Sequence, residues 1–88
     1  MTQIPQQHTQ IIRYYGNVPL IRVERTPDWD DARVKRVRFW CDHCNCYHTH
    51  GAFPNRKFQG HRSAHCHVRN SPFNPRGYFM ELDEVAEP

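Results

Sequence analysis

Cys41 and Cys44 stand two residues apart in Cys41-Asp42-His43-Cys44, directly after a run that alternates like a β-strand. A strand that turns tightly at this point can aim both sulfurs at one ion at about 2.3 Å, and a two-residue spacer is the length that permits it. A second cluster, His61-Arg62-Ser63-Ala64-His65-Cys66-His67, follows after a loop and offers further donors. Together they read as a structural Zn²⁺ site, which takes four ligands. Two must then come from His48, His50, His61, His65, His67, Cys46 or Cys66. Cys66 is the first choice, because thiolate is the softest donor on offer and this is the one cysteine in the second cluster. His61 is favoured for the fourth position, since a His-x4-Cys spacing lets a loop after Gly60 curl both donors inward. His65 is the alternative; in an extended strand it and the adjacent Cys66 lie on opposite faces. The predicted metal set is Cys41, Cys44, His61 and Cys66.

The surplus donors have plainer roles. His48 and His50 share a face by period two, as do His65 and His67, and both pairs read as groups that hydrogen-bond around the site. Cys46 reads as a bystander, because a one-residue spacer from Cys44 makes a strained chelate. Four cysteines in a short chain could instead form a disulfide framework. The N-terminal MTQIPQQHTQ lacks the charged and apolar regions of a secretory signal, which points to a reducing, cytoplasmic setting. Catalytic zinc keeps an open position for water and usually has a carboxylate base in reach. Asp42 is the only acid near the motif, and no Asp or Glu lies between residues 43 and 80, so a non-catalytic role is expected and a metal-dependent nuclease is the least favoured reading.

The elements that must position these residues are short strands. With 88 residues, 38% of them hydrophobic, and a mean hydropathy of -0.91, one domain with a thin core is expected, and a metal is a usual support for such a core. Residues 1–9 read as a disordered lead-in, 10–83 as a single zinc-binding β domain and 84–88 as an acidic tail. Ile11–Tyr15 and Leu20–Arg25 are β-branched and aromatic, and the turn dipeptide Gly16-Asn17 between them makes a hairpin, with Pro19 suiting an edge position. Thr26–Asp31 is a loop with one helical turn. Val34–Trp40 is a third strand with Val37, Phe39 and Cys41 on one face and Arg36, Arg38 and Trp40 on the other. Short strands at Tyr47–Gly51 and His61–Val68 flank a loop, Ala52–Gly60, and a last strand places Tyr78, Met80 and Leu82 on one side. The fold class predicted is a small β-rich zinc-binding domain, a zinc-ribbon-like antiparallel sheet. No stretch approaches the ~18 apolar residues of a membrane span, so a soluble protein is expected.

The net charge is +3, unevenly spread: residues 33–76 carry nine basic side chains against Asp42 alone, while residues 77–88 carry four acids and no base. A basic middle suggests an anionic partner, and the competing reading is a solvated surface. Arg33, Lys35, Arg36 and Arg38 precede the knuckle; Arg56, Lys57, Arg62 and Arg69 follow it. Trp40, Tyr47, Phe53 and Phe58 are interleaved as stacking surfaces, which favours a nucleic-acid-binding module. The alternative is a small protein-binding inhibitor or adaptor whose acidic tail meets a basic host complex that handles nucleic acid or serves defence.

In the elements Cys41-Asp-His-Cys44, Tyr47-His-Thr-His50-Gly51, Gly60-His-Arg-Ser-Ala-His-Cys66 and Gly77-Tyr78, the chain resembles a group of short bacterial and bacteriophage zinc-ribbon-like proteins. The likeness covers about the last half of the chain, with Phe53–Phe58 as an insertion between the second and third elements. It implies a small phage-type zinc protein and carries no activity with it.

Overall fold

The computed structural model describes residues 8–63, 73 and 76–82. They form six strands: β1 (Ile11–Tyr15), β2 (Val18–Arg25), β3 (Arg36–Cys41), β4 (Cys46–Gly51), β5 (Phe58–Arg62) and β6 (Tyr78–Leu82). All join one sheet in the order β4-β3-β2-β6-β5, with β1 paired to β2 beside that path. No helix among the described residues is long and apolar enough to cross a membrane.

The sequence sets β1 and β2 as a hairpin, and they pair antiparallel from Tyr15–Val18 at the turn to Ile11–Ile21. The edge position expected for β2 is not what forms. This strand is central, flanked by β1, β3 and β6. Pro19 is tolerated because the ladder with β6 starts one residue later, at Leu20.

The expected antiparallel sheet is also corrected. The pairing of β2 with β6 is parallel, running from Leu20–Phe79 to Val23–Leu82, so the sheet is mixed. Strands buried on both faces read as continuous apolar runs rather than alternating ones, and Leu20 and Ile21 are adjacent yet 1% and 0% exposed. Such a pair belongs in the middle of a sheet. What forms is a small β-rich domain with a curled mixed sheet.

The curl brings the two ends of the strand order together. His50 on β4 places Nε2 2.5 Å from the Tyr78 hydroxyl on β6, and Arg62 on β5 donates through Nη2 to the Gly51 carbonyl at 3.1 Å. Inside lie Ile21, Val23, Val37, Phe39, Met80 and Leu82, with Phe73 and Tyr78 packed edge-on to the Phe39 ring. The inward set of the last strand, Tyr78, Met80 and Leu82, is the one its alternation predicts.

Two strand limits shift. β3 starts at Arg36 rather than Val34, whose side chain is largely exposed. The predicted strand His61–Val68 begins earlier, at Phe58, and its residues 64–68 lie outside the described ones. Gly60, read as the flexible end of a loop, instead sits within β5 at φ 86°, where the register with β6 slips between Phe58 and Gly60 as in a β-bulge. The predicted helical turn is present, closed by Ala32 N–H donating to the Asp28 carbonyl at 2.8 Å.

Gly77 shows how tightly β5 meets the start of β6. It holds φ 75°, and a Cβ there would lie 2.3 Å from the Arg62 carbonyl oxygen and 2.9 Å from the His61 ring. Gly77→Ala is expected to destabilise the domain by about 2–4 kcal/mol, from the left-handed backbone and the overlap together. Urea denaturation of the two proteins checks this, and equal midpoints would contradict it.

Candidate metal centre

β3 and β4 pair in full register, Val37 with His50, Phe39 with His48 and Cys41 with Cys46. Side chains directly opposite in an antiparallel pair share a face. The inward face of β3, Val37-Phe39-Cys41, therefore fixes His48 and His50 as inward on β4, and both are buried, at 4% and 7% exposure. The turn between the strands is closed by Asn45 N–H donating to the Cys41 carbonyl at 2.7 Å. Asn45 holds φ 58°, a conformation Asn tolerates better than most side chains, and the reversal carries Cys44 back toward Cys41.

The ligand atoms of Cys41, Cys44 and His48 all lie within 4.8 Å of one another. This is close enough to bind a metal ion. Two sulfurs on a tetrahedral zinc at 2.3 Å stand about 3.8 Å apart, within that spread. Two thiols and an imidazole suit zinc or another soft transition metal, whereas magnesium and calcium take oxygen donors. Cys41 is fully buried, and the His48 ring stands edge-on to Phe39 at 5.5 Å, which orients it. Cys41, Cys44 and Cys46 are in no disulfide.

The outer side of the turn is pinned by Thr9. Its hydroxyl donates to the Trp40 carbonyl at 2.8 Å and accepts from Asp42 N–H at 2.8 Å, while its own N–H donates to the Asp42 carboxylate at 3.2 Å. Residues on both sides of the Cys41 peptide are thereby held. The one carboxylate in the motif accepts the hydrogen bond from Thr9 N–H.

Of the sequence-predicted set, Cys41 and Cys44 come together, and Cys66 lies outside the described residues, as do His65 and His67. The histidine that the described residues bring to the thiols is His48 rather than His61. His61 sits on β5, its Nε2 2.6 Å from the Arg76 carbonyl and its ring edge-on to Phe79 at 5.2 Å. Cys46 is outside the group, although it pairs with Cys41 across the ladder. His48 was within reach of the sequence: Cys41 inward at the end of one strand, a four-residue turn, and alternation from Cys46 put His48 on the same face.

The predicted basic residues differ in exposure. Arg33, Arg36, Arg56 and Lys57 are exposed, Lys35, Arg38 and Arg62 are half-buried, and Arg69 lies outside the described residues. Arg38 pairs with Glu24 at 2.7 Å and Lys57 with Glu81 at 3.7 Å. Comparison with family models, curated proteins and solved structures gives no match for this chain.

The two histidine assignments separate cleanly by metal content. Cys41→Ser, Cys44→Ser and His48→Ala should each lose the bound metal, while Cys46→Ser and His61→Ala should keep it. Elemental analysis of the purified variants decides: a metal-free His61→Ala beside a metal-loaded His48→Ala would restore the ligand set read from the sequence.

Proposed function

We propose that the chain is a non-catalytic, zinc-stabilised binding module that contacts nucleic acid through a basic and aromatic surface. Cys41, Cys44 and His48 supply three donors, and Cys66 is the fourth that the sequence offers. Phe73, seven residues beyond Cys66, packs against Phe39, whose ring meets His48. Seven residues span up to roughly 24 Å, so a thiolate at Cys66 has ample reach. Asp42, the one acid in the motif, is engaged by Thr9, and no Asp or Glu lies between residues 43 and 80, which supports a structural rather than a hydrolytic metal.

One observation carries the choice of partner. Arg33, Lys35, Arg36, Arg56 and Arg62 have no carboxylate partner among the described residues, so the positive charge of the middle segment is not neutralised within the described fold. Phe53 is exposed beside Arg56 and Arg62, and Tyr47 beside Arg38, while Phe58 is a further exposed ring. Cations with interleaved aromatics suit a phosphate backbone with bases.

The purified protein should carry one zinc per chain and bind nucleic acid in a gel-shift or anisotropy assay. With about four phosphate contacts, affinity should fall roughly a hundred-fold between 50 and 200 mM salt. Chelation should abolish binding, and so should acidification that protonates the thiolates and the histidine. Binding that survives both metal removal and raised salt would refute the proposal, and affinity for a protein partner alone, after nuclease treatment, would favour the adaptor reading.

A further inference from the structure

Three stretches distant in sequence converge on an open cleft of about 440 Å³: Arg33-Val34-Lys35 before β3, Gly51-Ala52-Phe53-Pro54 after β4, and Arg62 at the end of β5. No acidic residue among the described ones lines it. We infer that this cleft takes one unstacked nucleotide, its base against Phe53 and its phosphate between Arg33 and Lys35, so that the ligand is single-stranded nucleic acid. This rests on the nucleic-acid reading above and specifies where and in what form the strand binds.

The charge of the described lining is of one sign, and two of its three cations are held in place. Arg62 donates through its guanidinium to the carbonyls of Gln59, His61 and Gly51 at 2.9, 3.0 and 3.1 Å, which anchors a cation in the cleft wall without consuming its charge. The Lys35 ammonium is held by the Trp29 carbonyl and lies 5.6 Å from the Trp29 ring centroid. Arg33 is exposed and has no ion-pair partner among the described residues. Anchored cations attract a phosphate with little side-chain ordering left to lose.

Phe53 supplies the aromatic surface. It is 47% exposed, and the guanidinium carbons of Arg56 and Arg62 lie 5.1 and 5.7 Å from its centroid. An exposed ring on a loop is ordinarily mobile, but this loop is braced from below. Gln59, fully buried, accepts from Phe53 N–H at 2.7 Å and donates to the carbonyls of Phe53 and Arg56 at 2.9 and 2.5 Å. The ring is thus presented in advance of binding. A base within a duplex has its faces covered by its neighbours, so a cleft that offers a ring and a cationic rim selects a splayed base.

The test uses the full zinc-loaded chain, with fluorescence anisotropy on a short labelled oligothymidylate and on a duplex of equal length at about 50 mM salt. The single strand should bind more tightly than the duplex. Phe53→Ala and Phe53→Leu should each weaken it about ten-fold with an unchanged salt slope, since stacking is the term removed. Arg33→Ala should weaken it several-fold and reduce the salt slope by about one. Tyr14→Ala, an exposed ring on β1, should bind like the parent, and zinc content with far-ultraviolet circular dichroism shows that each variant is folded. Parent-like binding by both Phe53 variants, or equal affinity for duplex, overturns the cleft while leaving nucleic-acid binding intact. Failure of the parent to bind either probe overturns both.

Discussion

A pleated strand has two faces, and β3 and β4 give their inner one to Val37, Phe39, Cys41, His48 and His50 together. The hairpin must therefore complete an apolar core and bury two imidazoles and a thiol on the same surface. Buried polar groups require partners, and an unpaired one costs about 1–3 kcal/mol. His50 meets the Tyr78 hydroxyl. The ligand atoms of Cys41, Cys44 and His48 lie within 4.8 Å of one another, and a metal ion bound there would add its own binding energy. In small finger domains that energy is about 10–16 kcal/mol, as large as the whole stability of an ordinary domain. A core this thin has few other sources of comparable size.

Much of the fold was legible in the sequence because period two is a local signal. The β1–β2 hairpin, the inward faces of β3 and β6, the strand carrying His48 and the loop after it follow from alternation and turn residues alone. The parallel pairing of β2 and β6 did not follow, since nothing within either strand states its neighbour; the adjacent buried pair Leu20-Ile21 was the available sign of a central position. Gly60 misled for a related reason, because a positive φ serves a loop and a bulge equally.

The candidate site was legible in Cys41 and Cys44, and His48 was passed over. Thiolate softness, which favoured Cys66, and loop spacing, which favoured His61, are arguments about donors in isolation. Register is an argument about direction, and Cys41 opposite Cys46 with Phe39 opposite His48 orders the donors by the face they occupy. His61, exposed on β5, finds instead the Arg76 carbonyl and the Phe79 ring, contacts that link β5 to the approach to β6.

The Cys41, Cys44 and His48 cluster and the cleft stand at opposite ends of one hairpin. From His48 to Gly51 is three residues, about 10 Å of extended strand. Gly51 accepts the Arg62 guanidinium, and Ala52 N–H donates to the Lys35 carbonyl at 3.0 Å, so the cleft is assembled on the far end of β4. A slip of one residue between β3 and β4 would turn every side chain on β4 to the other face. Such a slip would take His48 off the inner side that Cys41 occupies. An ion held at the turn would thus oppose it, and would keep the pairing at Arg36–Gly51 and with it the alignment of Lys35, Phe53 and Arg62 around the cleft.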